Sequence, residues 1–207
     1  MTVDMGDLAL LVLAALCLVV FICLLVEVLK GKPMRIDRLC HSLFVEKLRS
    51  PALTVVMKAV SNLASAPFIV GALVAAFVWA PCRFQVIWIA INVGTVSVIN
   101  QLLKVLAHRS RPQGFRLVGA PGLSFPSGHS MAAVAFYGYG IWLVQSGACG
   151  ISPSVVVGMA FACAILAIGA SRIYLGVHYA SDVLGGFCLA FVWLILFVRL
   201  GAWGLAV

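Results

Sequence analysis

Long apolar runs without a charged residue make up most of this chain, and short polar segments separate them. Four such runs cover residues 8–26, 59–82, 84–103 and 183–198. Each is close to or longer than the roughly 17 to 25 residues that a helix needs to cross a bilayer. The pattern therefore predicts a membrane-spanning helix in each of these runs.

Residues 130–171 form a further uncharged run, which is too long for one helix across a membrane. Residues 145–153, with the sequence QSGACGISP, have the turn composition to divide this run into two helices. We therefore expect an all-α, polytopic membrane protein with six transmembrane helices. The sequence shows no repeat or low-complexity tract, so residues 1–207 are expected to form a single domain.

A polar segment with helical periodicity lies between the first two predicted spans. Its apolar residues recur opposite its charged residues, with one face made of Ile36, Leu39, Leu43, Phe44 and Leu48 and the other of Arg35, Arg38, Glu46, Lys47 and Arg49. This amphipathic pattern predicts an interfacial helix that lies on the membrane surface. An ordinary solvated helix in a loop is the alternative interpretation.

The composition excludes a soluble domain with a polar surface, because 64% of the residues are hydrophobic and only 10% are charged. The net charge of +8 does not form an exposed soluble patch, so anionic lipid headgroups rather than nucleic acid are the expected partner. Asp4 and Asp7, with no Lys or Arg, precede the core of the first span, which indicates an uncleaved helix rather than a signal peptide.

The 7 cysteines contain no Cys-x-x-Cys pair. We interpret them as small apolar residues packed in or near helices. Their pattern supports neither a disulfide framework nor a metal site.

Three polar clusters stand at the ends of apolar runs and combine into a candidate phosphate-binding site. In the first cluster, Lys104 ends the third span and Arg111-Pro112 follows. Taken alone, such basic residues are typical of anchors that reach lipid headgroups at the membrane edge. Arg109 and Arg116 beside them are candidates for binding a second phosphate or a headgroup.

The second cluster is Pro126-Ser127-Gly128-His129, where a loop rich in glycine and proline meets the fourth span. Ser127 is a predicted N-cap, and a helix N-terminus attracts anions through its free N–H groups and its dipole. Gly128 lets a phosphate approach the backbone closely, and His129 in the first turn points its ring at the bound group. A simple interfacial histidine is the alternative for His129.

The third cluster contains Ser171-Arg172 after the fifth span, then His178, then Asp182 at the start of the sixth. One helical turn separates His178 from Asp182, which places both side chains on one face. A carboxylate on one ring nitrogen fixes the tautomer and leaves a free lone pair on the other nitrogen. His178 is therefore a candidate nucleophile, with a structural pair that caps the sixth helix as the alternative.

Together the clusters resemble a known family signature. The pattern is Lys104, six residues, Arg111-Pro112; then Pro126-Ser-Gly-His129; then Ser171-Arg172, five residues, His178, three residues and Asp182. It is similar to the complete three-part motif of the type 2 phosphatidic acid phosphatase superfamily. The resemblance covers residues 104–182, and six spans are the layout expected for membrane-bound members of that family.

The resemblance implies an integral-membrane lipid phosphatase that works through a phosphohistidine intermediate. In that chemistry His178 attacks phosphorus, Asp182 orients His178 and balances its charge, and His129 protonates the leaving oxygen and later activates water. The groups that would hold the nonbridging phosphate oxygens are Lys104, Arg111, Ser127, the Gly128 amide and Arg172. No metal and no other cofactor is implied, and the sequence places only one carboxylate near the site.

The implied substrate is a membrane lipid carrying a phosphomonoester or a diphosphate. The short chain and its minimal loops favour a bacterial enzyme of the inner membrane acting on phosphatidylglycerophosphate, with undecaprenyl diphosphate and phosphatidate as alternatives. A lipid or solute transporter without hydrolysis and a vanadate-binding, haloperoxidase-like protein are the alternatives from other classes.

The side of the membrane on which the site lies is predicted differently by two arguments. All Lys and Arg except Arg83 and Arg199 lie on the same side of the membrane as the predicted site, opposite the N-terminus. A cytoplasmic N-terminus would place this basic side outside the cytoplasm, whereas the positive-inside rule places it in the cytoplasm. The family resemblance instead implies an extracytoplasmic site, since its basic residues serve the chemistry. We expect an extracytoplasmic active site.

Overall fold

The apolar runs form helices, and this computed structural model, which describes residues 5–31, 34–80 and 82–204, contains no strand in those ranges. The all-α prediction is therefore confirmed. In chain order the α-helices are α1 (Met5–Leu29), α2 (Arg35–His41), α3 (Pro51–Asn62), α4 (Ala66–Trp79), α5 (Arg83–Ala107), α6 (Gly128–Ala133), α7 (Tyr139–Gln145), α8 (Val155–Tyr174) and α9 (Ala180–Gly204). Two π-helical segments, Ser42–Lys47 and Val134–Gly138, continue α2 and join α6 to α7.

Among the described residues, 4 helices are long and apolar enough to cross a membrane, and they are α1, α5, α8 and α9. The number rises to 5 if α3 and α4, which meet at an angle of 52°, are taken as one bent span. The remaining predicted span falls on residues 128–145, which form three short helical segments in succession rather than one long helix.

The second predicted span, residues 59–82, differs from the structure in where it begins and in being bent. Helix α3 already begins at Pro51, and the chain bends before α4 begins at Ala66. The break has a local cause, because Ser65 leaves the helical conformation and caps α4 by accepting from the Phe68 N–H at 3.4 Å.

The π-helical segment between α6 and α7 is bound by a side chain of α5, which a side chain of α9 holds in place. Asn92 of α5 is fully buried and donates to the carbonyl of Ala135 at 2.9 Å. Trp193 of α9 in turn donates to the Asn92 side-chain oxygen at 3.0 Å. A π-turn disturbs the regular hydrogen-bond ladder, so these polar contacts stabilise it inside an apolar environment.

The α6–α7 segment lies at the centre of the bundle, in contact with α5, α8 and α9, while α1 packs on α9, α3 on α8 and α4 on α5. Helices α8 and α9 approach closely at Gly169, where an added Cβ would lie 2.8 Å from Val183 Cγ1. One end of the bundle therefore gathers the end of α5, the starts of α6 and α9, and the end of α8.

The predicted amphipathic segment is helical, although its second half is a π-helix. Its apolar side chains Ile36, Leu39, Leu43 and Leu48 are exposed, whereas Asp37 on the opposite side is buried. Asp37 and the partly buried Phe44 thus attach the segment to the bundle, and the other four apolar side chains point away from it.

The interpretation of all cysteines as unpaired packing residues is wrong for Cys82, which is disulfide-bonded. This residue lies directly before α5, at the end of the turn that follows α4. Five other cysteines are free, namely Cys17, Cys23, Cys40, Cys163 and Cys188. The side chain of Cys149 lies outside the described part of the structure.

Candidate active site

His178 and Asp182 form a buried pair where the chain enters α9. His178 lies in the loop before the helix and Asp182 in its first turn. The Nδ1 atom of His178 is 3.4 Å from Oδ2 of Asp182, and the two residues are 3% and 0% exposed. The carboxylate therefore faces one nitrogen of the imidazole, as the four-residue spacing predicts.

The other ring nitrogen of His178 faces a cation. Nη1 of Arg111 lies 2.9 Å from Nε2 of His178. A guanidinium group only donates hydrogen bonds, so Nε2 must accept and must carry the lone pair. The ring proton is then on Nδ1, directed at Asp182, which is the tautomer that a nitrogen nucleophile at Nε2 requires.

The protonation state of His178 fits this assignment. Burial lowers its pKa from 6.5 to about 4, and the nearby charges of Arg111 and Arg172 act in the same direction. The hydrogen bond and charge of Asp182 raise the pKa but do not outweigh the burial. The imidazole is therefore neutral at neutral pH.

Asp182 has several partners besides His178. Its Oδ2 accepts from the backbone N–H of Tyr179 at 2.8 Å and from the Ser124 hydroxyl. Its Oδ1 accepts from Arg109 at 2.7 Å. These contacts keep the acid in its charged form and fix the direction of both oxygens.

The expectation of one carboxylate near the site is wrong, because Asp37 of α2 shares Arg109 with Asp182. The sequence separates Asp37 from the motif residues by a whole span, so its spacing gave no signal. Arg109 is therefore occupied by two acids. Arg116, the other candidate for a second phosphate, donates to the carbonyl of Pro112 at 2.5 Å.

Arg172 offers a donor for an anion. Its Nη1 donates to Ser61 of α3 at 2.5 Å, which holds the guanidinium in place. Its Nε is buried and has no hydrogen-bond partner in the described part of the chain. A buried donor without a partner is costly unless a ligand supplies the acceptor.

The predicted N-cap is confirmed, since Ser127 accepts from the Ser130 N–H at 3.4 Å at the start of α6. The backbone N–H of Ser127 donates to the Asp182 carbonyl at 2.9 Å, which ties the start of α6 to the start of α9. Gly128 is the first residue of α6, so its amide has no partner within the helix.

Gly128 packs against Asn100 of α5, where an added Cβ would lie 3.1 Å from the side-chain oxygen. Asn100 also donates to the carbonyl of Pro126 at 3.0 Å. Its role is to hold the Pro126–Gly128 turn close to α5.

Lys104 and His129 complete the group. Lys104 lies in the last turn of α5, where the charges of Arg111, Asp182 and Arg172 act on it. His129, the second residue of α6, is within electrostatic reach of Lys104, Arg111, Arg172 and His178. The structure thus brings all eight predicted site residues to one end of the bundle: Lys104, Arg111, Ser127, Gly128, His129, Arg172, His178 and Asp182.

Chemically, this arrangement places a neutral imidazole and a helix N-terminus within electrostatic reach of three cations. Such a site can bind a phosphate dianion and stabilise charge that develops on its oxygens. A cavity of about 400 Å³ lies between α2 and the loops that follow α5 and α8, and it reaches His178 and Tyr179. A larger, mostly apolar cavity of about 820 Å³, between α1, α7, α8 and α9, contacts none of the eight residues.

Sequence reasoning missed the polar residues that support the site. These are Asp37, Ser61, Asn100 and Ser124. The role of Arg109 as a bridge between two acids was missed as well. A signal existed for Ser61 and Asn100, because polar side chains within apolar spans are rare and tend to be functional.

Known proteins resemble this chain in sequence and in structure. The family profile of the PAP2 superfamily matches residues 85–204. Phosphatidylglycerophosphatase B of Bacillus subtilis (strain 168) is 33% identical over 147 residues, which cover 69% of this chain and 72% of that protein. The crystal structure of a transmembrane PAP2 type phosphatidylglycerolphosphate phosphatase from Bacillus subtilis has a TM-score of 0.77 and 26% identity, covering 91% of this chain and 96% of that chain.

The crystal structure of Aquifex aeolicus LpxE is a more distant match, with a TM-score of 0.62 and 19% identity. It covers 77% of this chain and 92% of that chain. This match shows a similarity of fold.

Proposed function

We propose that this chain, which belongs to the PAP2 superfamily and is a membrane lipid phosphatase, hydrolyses phosphatidylglycerophosphate through a phosphohistidine intermediate on His178. The observation that carries the proposal is the placement of His178 between Asp182 at Nδ1 and Arg111 at Nε2. It leaves a neutral nitrogen with a lone pair beside a group of phosphate-binding cations.

In the first step the substrate phosphate takes the place of the imidazole as acceptor for Arg111. Lys104, Arg172 and the N-terminal amides of α6 bind the nonbridging oxygens. Nε2 of His178 then forms a bond to phosphorus, and the bond from phosphorus to the lipid oxygen breaks. His129 gives that oxygen a proton, while Asp182 balances the positive charge that develops on His178.

In the second step water enters and the phosphohistidine is hydrolysed. His129, now without its proton, accepts one from the attacking water. The new oxygen–phosphorus bond forms as the nitrogen–phosphorus bond breaks, which releases inorganic phosphate and restores neutral His178. The cations stabilise the spread negative charge in both steps, so positioning and electrostatics supply most of the catalysis.

The names of the relatives support phosphatidylglycerophosphate as the substrate, since both Bacillus subtilis matches are named for its hydrolysis. Phosphate release from the purified protein in lipid vesicles tests this choice against phosphatidate, undecaprenyl diphosphate and lipid A. A clear preference in kcat/KM for phosphatidylglycerophosphate is expected. Equal or higher kcat/KM values for another lipid would overturn the substrate assignment. Absence of phosphate release from all four lipids would overturn the assignment as a phosphatase and favour a transporter.

The intermediate and the metal-independent mechanism have their own test. Substrate labelled with ³²P, mixed with enzyme and quenched in base, should leave label on the wild type and none on His178→Ala. Activity should survive excess EDTA and be blocked by vanadate, which resembles the five-coordinate phosphorus. Loss of activity on chelation that Mg²⁺ restores would contradict the mechanism.

We further propose that the chain crosses the bacterial inner membrane six times as a single domain. Residues 128–145 supply the fourth of these spans, since α6, the π-helical segment and α7 follow one another without a gap. The exposed apolar face of α2 and of the π-helical segment after it then lies in the membrane interface, with Asp37 turned towards the bundle.

We also propose that the active site lies on the extracytoplasmic side. The contacts of the basic residues support this, because several have structural roles that are independent of orientation. Arg49 donates to the carbonyls of Phe115 at 2.7 Å and Tyr174 at 2.9 Å, and Arg109 bridges two acids. These residues therefore need not be counted as topological signals.

Two observations favour the opposite orientation: the remaining basic residues near the site, and the disulfide at Cys82 at the far end of α5. Thiol labelling of intact cells decides the matter. In a cysteine-free background, Gly119→Cys should react with a membrane-impermeant reagent, and Ser152→Cys at the opposite end should not. The reverse labelling pattern would place the active site in the cytoplasm.

A further inference from the structure

Arg109 lies outside the family motif, and its guanidinium bridges two buried carboxylates. Nη1 donates to Oδ1 of Asp182 and Nη2 to Oδ2 of Asp37, each at 2.7 Å. The side chains of the two acids are 0% and 3% exposed, and that of Arg109 is 13% exposed. The guanidinium carbon Cζ also lies over the Tyr179 ring, 4.1 Å from the ring centroid. This contact fixes the orientation of the guanidinium.

The two oxygens of Asp182 have separate partners. Oδ1 is bound by Arg109, while Oδ2 faces His178, the Tyr179 N–H and the Ser124 hydroxyl. Rotation of the carboxylate would break contacts at both oxygens. Arg109 binds Oδ1 and so fixes the carboxylate whose other oxygen, Oδ2, orients His178, without touching the imidazole itself.

Asp37 fixes Arg109 in turn and is itself held by the start of α9. Its Oδ1 accepts from the Ser181 N–H and its Oδ2 from the Ser181 hydroxyl, both at 2.9 Å. The Ser181 hydroxyl also accepts from Arg109 at 2.7 Å. An acid from α2 thus occupies the N-terminus of the helix that carries Asp182, where the helix dipole favours negative charge.

We propose that Arg109, held by Asp37, is a positioning residue that fixes the Asp182 carboxylate and limits the negative charge that this carboxylate presents to His178. The proposal rests on His178 being the nucleophile of the proposed function. It also gives α2 a role in the reaction, because the docked helix supplies the second acid that holds Arg109.

The charge balance around His178 gives this role a specific signature. The charged and titratable groups that act on the imidazole are Asp182 of α9, Arg111 of the loop between α5 and α6, Arg172 of α8 and His129 of α6. Arg109 and Asp37 stand behind Asp182 as one positive and one negative charge. Removing Arg109 leaves an excess of negative charge that favours protonated His178, whereas removing the charge of Asp37 has the opposite effect.

The variants Arg109→Met, Arg109→Lys, Asp37→Asn and the Arg109→Met/Asp37→Asn pair test this signature. Arg35→Met is the matched control, since Arg35 is an exposed arginine at the start of α2. Two readouts apply to each variant: the kcat and KM for phosphatidylglycerophosphate, and the pKa of His178 from an NMR titration of labelled histidine. Thermal unfolding in detergent reports whether each variant is folded.

For Arg109→Met we expect kcat to fall by about 10²-fold, the loss typical of a displaced catalytic group, while KM changes little because Arg109 does not face the phosphate. The pKa of His178 should rise by about one unit. Asp37→Asn should leave that pKa unchanged or lower it, and the double variant should return it close to the wild-type value. Arg109→Lys keeps the positive charge but loses the two-pronged donor geometry of the guanidinium. It should therefore lower kcat and leave the pKa of His178 unchanged.

An Arg109→Met protein with the wild-type His178 pKa and a kcat equal to that of Arg35→Met would overturn the inference. If Arg109→Met does not fold, Arg109→Lys and Asp37→Asn carry the test, and wild-type kcat in both would overturn it. Failure of the proposed function is a different result, namely no phosphate release by the wild type. In that case the NMR titration still reads the effect of Arg109 on His178.

Discussion

Arg111 donates to the one nitrogen of His178 that Asp182 does not reach, with 2.9 Å between Nη1 and Nε2. The cation therefore covers the lone pair that the proposed reaction uses. A phosphate oxygen is a stronger acceptor for a guanidinium than a neutral imidazole, because it carries negative charge. In the proposed reaction, binding of the substrate therefore frees the nucleophile and places a phosphate oxygen beside it in the same event.

This relationship predicts that Arg111→Ala lowers kcat/KM by roughly 10²- to 10³-fold, the loss typical of one donor to a transition-state oxygen. The affinity for vanadate should fall with it, since both ligands use the same donor. Arg116→Ala is the matched control, because Arg116 contacts only backbone carbonyls of the loop in the described structure. Similar losses in the two variants would show that loop structure, not phosphate binding, is the cause.

The two residues of the His178–Asp182 pair should differ in how much activity is lost when each is replaced. His178→Ala should abolish turnover while vanadate still binds, since the cations remain. Asp182→Asn should lower kcat by about 10² to 10⁴, as for other carboxylates that orient a histidine. His41→Ala is a suitable control, because His41 contacts Glu46 and the Phe115 ring and is not part of the eight-residue site.

The low pKa of His178 predicts its behaviour in acid. Burial lowers the pKa from 6.5 to about 4, so the neutral, nucleophilic form should persist down to about pH 4. The unfolded chain takes up this proton first, so the contribution of His178 to stability is complete above pH 6.5 and is lost as the pH falls towards 4.

An NMR titration of the 4 histidines measures this directly, with the His178 signal identified by its absence in His178→Ala. A midpoint near the ordinary value of 6.5 would mean that the ring is exposed or paired differently in solution. The titration is preferable to a rate profile because the second ionisation of a phosphate monoester, near pH 6, affects every rate measured in this range.

The eight residues of the candidate site could be predicted from the sequence because their chemistry is concentrated in short segments at the ends of apolar runs. Charged residues are rare in this chain, so each one near a span end was informative. Asp182 lies four residues after His178, and this spacing predicted their contact, although His178 lies in the loop before α9 and not on the helix itself.

The supporting contacts could not be predicted in the same way. Asp37 reaches Arg109 across 72 residues of sequence, and Ser61 reaches Arg172 across 111. Contacts of this kind depend on how the helices pack, which apolar periodicity does not determine when a helix is apolar on all sides. The π-helical segment at 134–138 was missed for a related reason, since its stabilising partner Asn92 lies on another helix.

Gly186 of α9 gives a prediction about stability. A Cβ at this position would lie 2.9 Å from the carbonyl oxygen of Ser127 and 3.1 Å from the Cβ of Ser130. Gly186→Ala should therefore cost about 1–3 kcal/mol in unfolding free energy and displace the start of α6. Gly94→Ala in α5, with open space around the new methyl group, should instead add about 0.5–1 kcal/mol.

Unfolding in mixed detergent micelles compares these two glycine variants, and phosphatase assays show whether the phosphate-binding turn has moved. We expect a loss of activity in Gly186→Ala that exceeds its loss of folded protein. Equal stability of the two variants would mean that α6 and α9 are further apart in the membrane than in the structure.

The role of His129 gives a final prediction, because its importance should follow the leaving group. An alkoxide that leaves from a phosphate monoester needs a proton far more than a lipid monophosphate that leaves from a diphosphate. His129→Ala should therefore reduce cleavage of phosphatidylglycerophosphate by about 10² to 10⁴ and cleavage of undecaprenyl diphosphate much less. His178→Ala should abolish both reactions, since the nucleophile is needed for either substrate.

The second step complicates this comparison, because His129 is also assigned the activation of water. If hydrolysis of the phosphohistidine limits the rate, His129→Ala slows both substrates in the steady state. The first turnover reports only the transfer to His178, so rapid-quench measurement of the burst separates the two steps. Equal losses on both substrates in that burst would exclude His129 as the general acid and leave it as a phosphate ligand beside Lys104, Arg111 and Arg172.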